Sequence, residues 1–243
     1  MSTNQREPLR GKLALITGAS QGIGLAIARA LAAEGCNLVI TSRHQTALNR
    51  TAKQLAKTGV SVLPMACDVR HADAVEAMFA VVRDRFHRLD ILINNAGIAH
   101  SNQPVAKLPL EEWKRVIETN LTGMFLVTRA ALSLMKPGGA IVNNLSISAK
   151  RVFRGASAYN ASKHGALGFT NTLREELRGK RIRVIALLPG ATDTEIWNTF
   201  WPQAPRRKMM SPRSVARAVV NALTLPEDAT VEEITILPRA GTL

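Results

Sequence analysis

Seven short apolar runs separated by helical stretches constrain this 243-residue chain more than any other feature. The runs are LALIT (13–17), NLVITSR (37–43), VSVLPMA (60–66), LDILINNAG (89–97), AIVNNLS (140–146), IRVIALLPG (182–190) and EEITILP (232–238). Such runs are short for helices and read as strands, with LALIT and LDILINNAG apolar enough to be buried on both faces. Between them, LAIARALAAEG and the segments 44–58, 71–87, from about 110, to about 178 and 211–224 read as helices. Strict alternation argues for one doubly wound α/β domain spanning 1–243, with a parallel sheet of about seven strands and helices on both faces. Open sheets of this kind bind ligands beyond the carboxyl ends of their strands.

The first such end is GASQGIG, with Gly18, Gly22 and Gly24 between strand and helix. Strand, glycine turn and helix in that order suit a Rossmann-type site, where backbone N–H groups at a helix N-terminus meet a diphosphate. The second run ends in Ser42 and Arg43, with no carboxylate before the next helix. An acidic residue there would take a ribose 2′-hydroxyl, whereas a basic one suits a 2′-phosphate, so NADP(H) is expected over NAD(H). Asp68 and Val69 follow the third run. That carboxylate suits either an adenine amino group or the cap of the next helix.

The later strand ends carry polar groups. Asn94, Asn95, Ala96 and Gly97 suit a backbone bend beside a ligand or a plain turn. Asn120 lies inside a helical stretch, where asparagine is unfavourable by propensity. Ser146 closes the fifth run. Tyr159, the only tyrosine, is followed four residues later by Lys163, which places both on one helix face. An ammonium about 4 Å from a phenol would lower its pKa by up to roughly three units, toward a usable acid or base. The alternative is an ordinary tyrosine lying over a lysine stem.

The formal charge of +14 comes from 32 Lys+Arg against 18 Asp+Glu. Clusters occur at Lys150, Arg151 and Arg154; at Arg178, Lys180, Arg181 and Arg183; and at Arg206, Arg207 and Lys208. No nucleic-acid motif accompanies them and few aromatics are present, so solvated faces are expected and nucleic acid is not a primary partner. The polar N-terminus lacks the apolar core of a signal peptide, and no run reaches 18 apolar residues, which speaks against a membrane span. Cys36 and Cys67 lack metal-ligand spacing and fit buried thiols of a reduced, cytoplasmic protein; no metal is expected.

TGASQGIG (17–24), Asp68, NNAG (94–97), Asn120, Ser146, YNASK (159–163) and PGATDT (189–194) together resemble the short-chain dehydrogenase/reductase family along essentially the whole chain. The resemblance implies that Tyr159 is the acid or base of a carbonyl–alcohol interconversion, tuned by Lys163, and that Tyr159 and Lys163 also contact the cofactor, Lys163 through its nicotinamide ribose. Ser146 would fix the substrate oxygen, and Asn120 would hold a water joined to Lys163. It further implies that Gly18, Ser20, Gln21, Gly22, Ile23 and Gly24 cradle the cofactor. Asp68 and Val69 would contact its adenine, and Asn94, Ala96 and Gly97 would line the cleft. Pro189, Gly190, Thr192 and Thr194 would hold its carboxamide end. Residues 194–208 resemble a substrate lid, with Ser148, Phe153, Trp197, Phe200 and Trp201 facing a small-molecule carbonyl or alcohol. A dimer or tetramer built on the Tyr159 helix is implied. Gln21 stands where the family often has a basic residue, and EEITILPRAGTL lacks the frequent glycine-rich ending. Two alternatives to a general carbonyl reductase remain open within catalysis: a 3-oxoacyl-thioester (acyl carrier protein) reductase, for which the basic residues near 150 speak, and an NAD-dependent alcohol dehydrogenase. A non-catalytic NADP(H)-binding sensor or scaffold is the third.

Overall fold

The computed structural model describes residues 9–226 and 228–242. The first eight residues, part of the stretch read as lacking a signal peptide, lie outside it. Seven parallel strands form one sheet in the order β3-β2-β1-β4-β5-β6-β7. They are β1 (Leu13–Thr17), β2 (Asn37–Ser42), β3 (Val62–Ala66), β4 (Leu89–Asn94), β5 (Met135–Asn144), β6 (Arg183–Pro189) and β7 (Glu233–Ile236). The order reverses between β1 and β4, and a cleft opens over that reversal, as expected for a doubly wound sheet.

Period-two alternation sends β1 side chains to two cores. Ala14 and Ile16 pack under α1 (Gly22–Ala33) and α8 (Pro212–Leu223), with Ile27, Leu31, Val215 and Val219. Leu13 and Leu15 pack under the opposite layer, α3 (Ala72–Phe86), α5 (Gly123–Leu132) and α6 (Ser157–Arg178), with Phe79, Val82, Val127 and Leu173. All of these side chains are buried. α2 (Gln45–Leu55) covers the β2–β3 edge.

Two elements differ from the sequence reading. β5 begins at Met135, with Leu89 paired to Met135 and then a register jump to Ile91–Ala140. Pro137, Gly138 and Gly139 make up the irregular part, and they hid the early start of the strand. The helix from Leu110 is not continuous either: α4 (Leu110–Ile117) passes through a π turn, Glu118–Thr122, into α5. π turns inside helices are uncommon and concentrate at functional sites. Among the described residues no helix is long and apolar enough to cross a membrane, and no group of three His, Cys, Asp or Glu could hold a metal.

Candidate active site

The loop after β1 is shaped by backbone and one asparagine. Gly18 and Gly22 adopt φ +65 and +55, the left-handed region that glycine enters without strain. The Thr17 hydroxyl accepts the N–H groups of Asn95 and Ala96, each at 2.9 Å. Asn95 Nδ2 donates to the carbonyls of Thr17 (2.9 Å) and Gly18 (3.1 Å). A Cβ on Gly24 would collide with Asn95 Nδ2 and the Gly18 carbonyl, so the glycine is required by close packing. α1 starts at Gly22 with no side chain capping it, leaving N–H groups at its positive end.

A cleft of about 530 Å³ runs from this loop to α6. Ser42, Arg43 and His44 line its far end. Arg43 is exposed and without a partner among the described residues. Asp68 also lines the cleft, but both its oxygens bond Arg70, at 3.0 Å to Nε and 2.6 Å to Nη2. The Arg70 guanidinium holds the Asp68 carboxyl below the usual carboxylate range, against an opposing push from burial. One expectation is corrected here. The Asn94 side chain turns away from the cleft and donates to Thr128 Oγ1 and Asn143 Oδ1, both at 2.8 Å, in a buried amide network. Its neighbour Asn95 lines the cleft with Ala96 and Gly97. Asn94 and Asn143 are paired across β4 and β5, and that register sets which asparagine faces which way.

At the other end, β5 delivers Ser146 and α6 presents Tyr159 and Lys163. Ser146 Oγ accepts the Ser148 N–H at 3.1 Å and sits beside the Tyr159 phenol, where it favours the ionised form. Lys163, 4% exposed, donates to the Asn144 carbonyl at 3.0 Å. Its Nζ lies 5.5 Å from the Tyr159 ring centroid. The electrostatics correct the sequence argument. Burial pushes the Tyr159 phenol up, and Ser146 only partly offsets this. Burial also pulls Lys163 down to about 8. A pKa near 8 leaves Lys163 mostly charged at pH 7, so it is burial of the phenol itself that sets the direction of its shift.

Asn120 sits wholly buried in the π turn. Its Oδ1 accepts the Ile98 N–H (2.8 Å), and its Nδ2 donates to the Ile98 carbonyl (2.9 Å) and Ser162 Oγ (3.0 Å). Ser162 Oγ donates in turn to the Tyr159 carbonyl at 2.8 Å. The asparagine therefore ties the loop after β4 to the helix carrying Tyr159. Its side chain is fully engaged.

The sequence reading did not single out Asn144, and it placed Asn95 only in a bend and Arg206 only in a basic cluster. Asn144 Nδ2 donates to Asn95 Oδ1 at 2.8 Å, so an unbroken line of hydrogen bonds joins Gly18 through Asn95 and Asn144 to Lys163. Asn144 Oδ1 is buried and has no partner among the described residues, although the residue lines the cleft. Two asparagines closing an apolar strand were the available signal. Arg206 donates to Asp193 Oδ1 (2.8 Å), the Thr194 carbonyl (2.6 Å) and Asn198 Oδ1 (2.7 Å). It clamps the segment read as irregular, which contains a short helix, α7 (Trp197–Phe200). The Trp197 indole N–H bonds the Thr192 carbonyl at 2.8 Å. Phe200 lies 5.9 Å from Tyr159 and 5.7 Å from Trp197, ring to ring, and Trp201 lies 6.4 Å from Trp197. Ser148, Phe153, Pro189, Gly190, Thr192 and Thr194 all line the same cleft, as do Ser20, Gln21, Ile23 and Val69. Gly24 does not line it and supports the loop from beneath.

The short chain dehydrogenase family profile matches residues 12–205. An uncharacterized oxidoreductase of Staphylococcus aureus (strain MRSA252) is 35% identical over 232 residues, 95% of this chain and 98% of that one. An alcohol dehydrogenase from the archaeon Thermococcus sibiricus, complexed with 5-hydroxy-NADP, superposes with a TM-score of 0.89 at 33% identity over 96% of this chain and 99% of that chain. A variant of the actinorhodin polyketide ketoreductase with NADPH gives 0.85 at 33% identity, over 96% and 98%. A 3-ketoacyl-(acyl-carrier-protein) reductase from Brucella melitensis, complexed with NADH, gives 0.86 at 29% identity, over 95% and 98%. This chain belongs to the short-chain dehydrogenase/reductase family of oxidoreductases.

Proposed function

We propose that this protein is an NADP(H)-dependent oxidoreductase interconverting a carbonyl and a secondary alcohol, with Tyr159 as its acid–base group. One observation carries the reading. Ser146 beside the Tyr159 phenol, with Lys163 behind it, stands at the end of a cleft whose other end is a glycine cradle. The residues fit a dinucleotide: uncapped N–H groups at α1, the left-handed Gly18 and Gly22, and the unpartnered Asn144 Oδ1 as a waiting acceptor. Gly18 to Ile23 would hold the diphosphate, and Pro189 to Thr194 the carboxamide.

When bound, the cofactor supplies or accepts the hydride. The chain does the rest. Ser146 Oγ orients the substrate oxygen, and the Tyr159 hydroxyl gives up or takes the proton on that oxygen. Lys163 holds positive charge behind the phenol. Because the Asn120 side chain is engaged with Ile98 and Ser162, its main chain is left to hold a water toward Lys163. The segment 194–208 acts as the lid, and its aromatic rings keep bulk water from the reacting carbon.

Arg43, free at the 2′ end, supports NADP(H), and Arg70 supports it by neutralising Asp68 nearby. A fluorescence titration of NADPH and NADH against wild type and Arg43→Ala, at matched ionic strength, tests this. NADPH should bind about tenfold tighter, equivalent to about 1.4 kcal/mol, with the difference erased by the substitution. Equal binding of NADH by wild type would overturn the preference. We extend the proposal to a homo-oligomer: Trp113 on α4 and Phe125 on α5 are 38% and 44% exposed, and Phe125 stacks edge-on with Phe169 of α6 at 6.2 Å. Light scattering should then return a dimer or tetramer. The free buried thiols Cys36 and Cys67 support a reducing, cytoplasmic setting.

A further inference from the structure

The substrate end of the cleft has an apolar wall, formed by Phe153, Trp197, Phe200 and Trp201. Only one of the three basic residues before Tyr159 reaches it. Lys150 is paired to Glu233 at 2.6 Å, at the edge strand β7. Arg151 is exposed and does not line the cleft, whereas Arg154 does. Arg154 is exposed and has no hydrogen bond or ion pair among the described residues.

The loop bearing Arg154 is nevertheless held in place. The Phe153 carbonyl accepts from Asn160 Nδ2 (2.9 Å) and the Ala156 N–H (3.2 Å). Gly155, at φ +78, accepts the Gln103 N–H at 3.0 Å and packs against Asn102 Oδ1. The Asn102 backbone N–H bonds the Phe200 carbonyl at 3.3 Å, while its side-chain amide, also lining the cleft, is free to donate. Among the described residues two carboxylates line the cleft, and neither answers Arg154. Asp68 is held by Arg70, and Glu195 lies against the glycine loop, its Oε2 3.5 Å from a Cβ placed on Gly22.

An unpaired guanidinium on an anchored loop beside a spare amide donor, at the mouth of an aromatic-walled cavity, is a receptor for a carboxylate. One cation balances one negative charge, and a formal charge of +14 draws anions toward the mouth. We propose that the substrate is a ring-bearing ketone, or its alcohol, with a carboxylate at the end away from the reacting carbon, received by Arg154 with Asn102. This rests on the Tyr159 reading. The hydride goes to the carbonyl carbon and the proton to its oxygen, and the carboxylate is unchanged.

The test compares para-acetylbenzoate with its methyl ester, using NADPH, in wild type, Arg154→Gln and Arg151→Gln. Wild type should favour the acid in kcat/KM by about tenfold or more. Arg154→Gln should erase that ratio and Arg151→Gln, which removes the same charge outside the cleft, should keep it. A ratio near one in wild type, a ratio surviving in Arg154→Gln, or a pantetheine-type acyl thioester outpacing the acid would overturn the proposal. If no ketone is reduced at all, the Tyr159 reading fails separately. Quenching of tryptophan fluorescence by para-acetylbenzoate in the NADP-loaded protein then decides the Arg154 site: weaker quenching in Arg154→Gln supports it, and identical curves sink it.

Discussion

The two ends of the cleft are built from different materials. The glycine-loop end is made of backbone: strand termini, left-handed glycines and the Asn95 amide that stitches them. No glycine of that loop can gain even a methyl group without crowding a neighbour. The lid end is made of side chains, a chain of four aromatic rings with neighbours 5.7–6.4 Å apart, two of them on a four-residue helix held by Arg206. Backbone suits the part that must grip one invariant ligand. Exchangeable side chains suit the part that must tell one substrate from another.

The contrast can be broken or sharpened by substitution. Tyr159→Phe should cost about 10²- to 10⁴-fold in kcat/KM, because the proton donor is gone. Its NADPH affinity, by fluorescence, should stay within about twofold, since the grip lies at the other end. Lys163→Met should abolish turnover yet stabilise the protein. Burial holds Lys163 at about 8 instead of 10.5. The unfolded chain therefore binds the extra proton between those values, and wild-type stability rises with pH across that window. Below about pH 8 the full cost is present, at most about 3 kcal/mol, and the substitution removes it, less the loss of a partner for the Asn144 carbonyl. Thermal melts at pH 7 should show a higher Tm for the variant, with the gain shrinking toward pH 10.

Gly24→Ala should lose about 1–3 kcal/mol by overpacking against Asn95 and Gly18, and weaken NADPH by more than about fivefold. Arg206→Ala should have the smallest effect, a KM for ketones raised by about threefold to tenfold with kcat little changed and NADPH Kd within about twofold. If Arg206→Ala weakens NADPH as much as the ketone, the two ends are not separable in the way described.

The fold and the central site were legible because both are written in local spacing: apolar runs of strand length, glycines after the first, a tyrosine and lysine one helical turn apart. What escaped depended on contacts distant in sequence. Asn94 and Asn95 are adjacent and chemically alike, and only the pairing of β4 with β5 decides that Asn95 faces the cleft. Arg206 looked like one member of a solvated cluster because its partners Asp193, Thr194 and Asn198 come from a segment with no periodicity. The Tyr159 argument assumed that the nearby ammonium dominates, whereas burial of the phenol, which no spacing reveals, pushes its pKa up.

The strand order carries a consequence for how the molecule is made. β1 sits beside β2 on one edge and β4 on the other. During synthesis at about 5–20 residues per second, the interval between Thr17 and Asn94 lasts roughly 4–15 seconds. Throughout it, one edge of the central strand has no mate, and the glycine loop has no Asn95 to close it. The nascent N-terminal third is thus an adhesive ribbon on the ribosome, and its protection depends on how promptly residues 89–94 emerge.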